Sequence, residues 1–131
     1  MSVSEVGGRA PYSKWVGKEF VLQQDCFFIA ADKFFYVDSP LISKFYPKEV
    51  NTAYINYHID PYTTIVGVAR KGARFRIVGC LEERRPEDWF LRWQAKFEDG
   101  SLRLETIDIS RLTDMVSSKP VFLDGWVIPA N

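Results

Sequence analysis

The chain has 131 residues, and its 17 Lys and Arg balance 17 Asp and Glu, so the formal charge is zero. Apolar residues make up 47% and aromatics 15%, which excludes a disordered chain and fills one core rather than two. No run approaches 18 apolar residues, which excludes a membrane-spanning helix, and one His with two Cys excludes most metal cages and His-based catalytic sets.

In chain order, residues 1–14 are small and polar, with Gly7-Gly8 and Pro11, and predict a flexible tether ahead of one domain over 15–131. The tether has no apolar core of a signal peptide. It suits either a cytoplasmic N-terminus or a mature envelope domain held by a lipid anchor. Lys18 to Ala30 predicts strand, with Phe20 and Leu22 alternating and an apolar run at Phe27 to Ile29. Asp32-Lys33 predicts a turn, Phe34 to Val37 a strand, and Asp38-Ser39-Pro40 its end. Residues 40–62 predict a long irregular loop with one helical turn, and such loops are often functional.

Thr63 to Val68 predicts a β-branched strand, Arg70-Lys71-Gly72 its turn, and Arg74 to Gly79 the next strand. Glu82 to Asp88 predicts a charged hairpin tip. Leu91, Trp93, Ala95 and Phe97 then alternate with Phe90, Arg92, Gln94 and Lys96, the pattern of a half-buried strand. Asp99-Gly100 predicts a tight hairpin, with Leu102 and Leu104 on its second arm. Ser110 to Ser118 predicts a short helical turn, and Pro120 to Pro129 a closing strand. Phe20, Phe75, Trp93, Phe97 and Trp126 are the expected core. Six to seven short strands make an all-β fold, a small barrel or sandwich.

From Val66 to Val127 the chain resembles bacterial SH3-like domains. The matching pieces are Arg70-Lys71-Gly72, Arg74-Phe75-Arg76-Ile77-Val78-Gly79, Trp89 to Trp93, Asp99-Gly100 and Gly125-Trp126-Val127. The first 60 residues do not match, and Ile107 to Leu123 is longer than usual. The resemblance implies a small SH3-like β-barrel and a binding module of the bacterial periplasm or cell envelope. Its partner would be a peptide, peptidoglycan or an envelope protein. It brings no catalytic residue and no cofactor.

The residues themselves offer little chemistry. His58 stands among tyrosines with Asp60 as the nearest carboxylate, a weak base–orienter arrangement. Cys26 and Cys80 sit in apolar strand sequence, as buried thiols or as one disulfide. Glu82-Glu83, Glu87-Asp88 and Glu98-Asp99 fall in turns or beside arginines, where solvated charges are expected rather than paired catalytic acids. Arg74, Arg76, Arg92, Lys96 and Arg103 share an outward phase, and the neutral net charge disfavours nucleic acid as their partner. Aromatics are the best signal. Tyr46, Tyr54, Tyr57, His58 and Tyr62, in the irregular segment from Phe45, together with Trp89, would line a groove for an extended peptide or sugar. The expectation is therefore a non-enzymatic binding module of the envelope, with an intracellular interaction or inhibitor (immunity-type) module as the alternative.

Overall fold

In the computed structural model, residues 2–44 and 46–131 are described; Met1 and Phe45, which open the expected tether and the aromatic segment, lie outside them. The chain is all-β. Its strands are β1 (Ser2–Glu5), β2 (Glu19–Leu22), β3 (Cys26–Ala30), β4 (Phe35–Asp38), β5 (His58–Asp60) and β6 (Thr63–Ala69). They continue with β7 (Arg74–Arg84), β8 (Trp89–Phe97), β9 (Ile107–Asp108), β10 (Thr113–Val116), β11 (Lys119–Phe122) and β12 (Val127–Pro129). One large sheet runs β12-β2-β7-β8-β9-β4-β3-β6-β5, and β10 and β11 form a separate ribbon. The two ends of the large sheet do not pair, so the expected barrel is not closed.

The strand count exceeds six to seven because several expected strands divide. Lys18 to Ala30 becomes β2 and β3, broken where Asp25 leaves the ladder to accept the Lys71 backbone N–H at 2.8 Å. β3 is covered on both faces, which accounts for its apolar run: Cys26 and Phe28 enter the main core, and Phe27 and Ile29 a smaller one with Ile65. The stretch expected as a helical turn at 110–118 is one 3-10 turn at Ser110–Leu112 followed by β10. The Asp99-Gly100 hairpin is also different. Gly100 does take a positive φ of 100°. However, successive turns (Arg103 N–H to the Gly100 carbonyl, Glu105 N–H to that of Leu102) use the backbone groups that a second strand arm needs. The chain rejoins β8 only at β9, and Leu104 is left exposed.

From Ser2 to Val6 the expected tether is instead held against the sheet. β1 pairs antiparallel with the outer part of β7, Ser2 opposite Arg84 and Glu5 opposite Leu81. Val6 is only 2% exposed, its N–H bonds the Cys80 carbonyl at 2.9 Å, and the Glu5 carboxylate accepts the Cys80 N–H at 3.3 Å. One anchoring valine between polar residues is enough once β7 offers a free edge. β1 and β2 thus lie end to end along the same edge of β7, with β8 on the other.

β7 changes phase at a bulge. Phe75 and Ile77 face the core before it, Cys80 after it, and the register slips between Ile77 and Gly79. Val78 is the extra residue, left exposed. Gly79 meets the Gln94 amide and the Glu5 carboxylate so closely that a Cβ there would stand 3.0 and 3.1 Å from their oxygens. Phe20, Phe75, Trp93, Phe97 and Trp126, the five expected core residues, are all buried. Trp15 stacks on Phe122 with ring centres 4.1 Å apart and meets Trp93 at 4.6 Å. Among the described residues no helix is long and apolar enough to cross a membrane.

Candidate functional site

The tyrosine segment divides. Residues 39–44 and 46–57 are largely irregular, with a 3-10 turn at Thr52–Tyr54, and fold over β3 and β6, where Tyr46 and Tyr54 pack half-buried against Phe27, Ile29 and Ile65. The polar end of this lid is fixed by Asp38, whose residue is fully buried. Its carboxylate accepts the Ser39 N–H at 2.8 Å, the Ser43 hydroxyl at 2.8 Å and the Tyr46 hydroxyl at 2.9 Å. Tyr36 and Tyr46 share a further hydrogen bond of 3.1 Å. Burial, the Tyr36 bond and the charge of Asp38 push the Tyr46 phenol well above its ordinary range. Tyr57, His58 and Tyr62 are exposed beyond the lid, Tyr62 at 74%. The His58 ring meets the Thr64 hydroxyl at 2.9 Å, and Asp60 accepts the Tyr62 N–H at 2.8 Å, so neither faces the other as base and orienter.

Trp89 belongs elsewhere. It is 48% exposed at the start of β8 and lines an open cleft of about 710 Å³ between β8 and β10, with Phe34, Phe90, Arg92, Asp108, Arg111 and Met115 among the walls. β8 puts alternate residues on opposite faces, so Trp89 and Leu91 extend the face that buries Trp93, while Phe90 and Arg92 point the other way. The guanidiniums lie on rings: Arg85 over Phe90 at 4.6 Å, Arg92 over Phe34 at 4.7 Å and Arg111 over Tyr36 at 5.8 Å. Beyond Arg92 and Phe34 the surface continues into a hollow of about 520 Å³ lined by Lys33, Gln94, Lys96 and Glu105.

Two acids of the cleft, Glu83 and Asp108, are occupied or desolvated, and the third, Asp114, is exposed and accepts the Met115 N–H at 2.7 Å. Glu83 ion-pairs with Arg85 at 3.0 Å and Arg92 at 3.4 Å, and these, the Arg85 bond foremost, hold its carboxyl below the usual range. Asp108 accepts the Ser110 N–H at 2.7 Å, yet burial outweighs that bond and the nearby Arg92 and Arg111, and its carboxyl is raised. Arg111 reaches only the buried Asp38, at 3.8 Å. Within the expected basic stripe, Arg74 and Arg76 meet Glu19, Arg74 also meets Glu98, and Lys96 and Arg103 bond the Leu104 and Gly100 carbonyls.

The edge of β8 is open beside this cleft. The Trp93 carbonyl accepts the Ile109 N–H at 2.9 Å and its N–H bonds the Ser110 hydroxyl at 2.8 Å, so both backbone groups of Trp93 face away from β7. The hairpin turn agrees in parity, since Arg85 N–H bonds the Asp88 carbonyl at 2.8 Å. By the alternation of an antiparallel ladder, the N–H and C=O of Leu91 and Trp89 also face outward. The ladder to β9 covers only Gln94 and Ala95, and Ser110 ends it with a side chain in place of a strand.

Cys26 and Cys80, which the sequence allowed to pair, are both free and buried, and burial pushes each thiol up to about 12. Neither is an available thiolate at neutral pH. Among the described residues no group of three His, Cys, Asp or Glu side chains is placed to hold a metal ion. Phe34 and Arg111 were missed as site residues because they come from segments 77 positions apart in sequence; Arg92 was visible only as an outward charge next to Trp89 and Phe90. No protein-family model, curated protein or solved structure matches the chain.

Proposed function

We propose that the chain is a non-enzymatic binding module, an opened and elaborated SH3-like β-structure, that recognises a peptide segment of a protein partner in the cleft between β8 and β10. The observation that carries this reading is one cleft lined by exposed Trp89 on one face of the β8 edge, by Phe90 and Phe34 on the other, and by Arg85, Arg92 and Arg111, a composition enriched where proteins bind one another. A sugar ring needs a free aromatic face to stack on. Arg85 and Arg92 already lie over Phe90 and Phe34, which leaves Trp89 as the one uncovered ring of the three, and a single ring among arginines favours a polypeptide over a cell-wall glycan. The buried thiols and the exposed His58 edge support the non-enzymatic part. Placement in the bacterial envelope rests on the SH3-like resemblance, and the cleft carries the binding reading whatever the compartment.

The test is a random twelve-residue peptide library displayed on phage, panned on the protein and depleted on a Trp89→Ala/Arg92→Ala variant. Enriched peptides that bind the native protein and not the variant support the reading. Enrichment lost instead by Tyr57→Ala/Tyr62→Ala moves the site to the far edge of the sheet and overturns it.

A further inference from the structure

We propose that the free edge of β8 takes an extended, acidic segment of the partner as an added β-strand, with its backbone on Trp89 and Leu91 and its carboxylates toward Arg92 and Arg111. This rests on the binding-module reading above and specifies its mode. A strand edge with outward N–H and C=O groups is a template for another strand, and natural proteins normally cover, shorten or charge such edges. On the edge away from β7, among the described residues, neither the ladder to β9 nor any other strand covers residues 89–92. Four residues of strand offer about 13 Å of pairing, enough for two pairs of backbone hydrogen bonds.

Backbone pairing alone does not choose a sequence, and the flanking groups supply that choice. Arg85, Arg92 and Arg111 border the edge. Of the carboxylates around them, Glu83 is already shared by Arg85 and Arg92, Asp108 is desolvated with a carboxyl that holds its proton more tightly than usual, and exposed Asp114 accepts the Met115 N–H at 2.7 Å. Arg111, 58% exposed in its side chain, has its nearest carboxylate at 3.8 Å, beyond hydrogen-bond distance. An incoming Glu or Asp can therefore bond Arg111 without first breaking a good ion pair. The exposed face of Trp89 offers an apolar contact to an alternate residue of the same strand. The occupant that fits all three is an extended segment alternating acidic with apolar residues.

The closing experiment uses synthetic copies of the twelve-residue peptides recovered by the selection above. Expected are acidic, β-branched sequences that slow deuterium exchange at the Trp89 and Leu91 amides. Their affinity should fall about tenfold on Arg111→Gln, as for loss of one hydrogen bond to a charged group. It should be abolished by N-methylation of alternate, not intervening, peptide amides. Peptides that depend on Trp89 but leave both amides unprotected overturn strand addition and leave the binding module standing. Absence of any Trp89-dependent peptide overturns both. A concentration-dependent dimer that protects the same amides without peptide assigns the edge to a second copy and overturns the proposal as well.

Discussion

Over β3 and β6, tyrosines turn inward and the Tyr46 hydroxyl meets a buried carboxylate; along the free edge of β8, aromatic rings stay partly in water with guanidiniums laid over two of them. Both regions are rich in aromatic residues, and the sequence pattern points to the tyrosine segment because it forms a long irregular loop. The difference lies in what surrounds them. The lid has Asp38, Ser43 and the apolar faces of Phe27 and Ile65 to complete it, so its rings serve the fold. The cleft has an unfinished strand edge and arginines, and its rings remain available. Aromatic content marks a site only where the backbone beside it is also incomplete.

The comparison can be broken most directly at its shared support. Trp93 is 1% exposed and lies between the core and the cleft, so Trp93→Ala should cost about 3–5 kcal/mol in chemical denaturation. A native-like midpoint would remove the core from behind the cleft. Next in size, Tyr46→Phe leaves buried Asp38 short of one donor and should cost about 1–3 kcal/mol, a loss that a purely decorative lid would not show. Trp89→Ala should change stability by no more than about 0.5 kcal/mol, because the ring is half in water, while removing peptide binding. Equal losses of stability in Tyr46→Phe and Trp89→Ala would erase the distinction between the two regions.

The smallest effect concerns pH. Burial raises the Asp108 carboxyl in the folded state, so the folded chain holds that proton more tightly than the unfolded one. Its ionisation on raising the pH from the ordinary carboxylate range through the higher folded value therefore lowers stability, and the full cost persists above it. Asp108→Asn can still accept the Ser110 N–H and should flatten this part of the pH–stability profile without lowering stability at neutral pH. A profile that falls as sharply in the variant would assign the titration to another group.

Much of the sheet was legible. Strict alternation from Leu91 to Phe97 gave β8 its inward face, and the β-branched run from Thr63 gave β6. Trp89 could be named because an aromatic at a charged hairpin tip has little core to enter. What stayed hidden depended on long-range placement. β1 is exposed at all four residues and has no amphipathic pattern to read. The arm at Leu102 and Leu104 alternates correctly, but local turns took its backbone groups. Phe34, Arg92 and Arg111 converge only because β4 lies parallel to β9 and the chain then turns at Ser110. Spacing along the chain carries no trace of that meeting. The same holds for Tyr46, whose partner Asp38 is eight positions away and reads in sequence as the end of a strand.

The bulge at Val78 divides the long hairpin into two pieces of opposite phase. On the inner piece Phe75 and Ile77 point to the core, and on the outer one Cys80 does, while Leu81 is only partly covered. Any residue added or lost between the bulge and the hairpin turn would exchange the faces of everything beyond it, whereas paired changes past Glu82 would leave the inner half in register. The hairpin past Glu83 is thus an extension on a fixed joint, and its exposed residues from Arg84 to Phe90 can be rewritten without disturbing Cys80 and Trp93, which belong to the core.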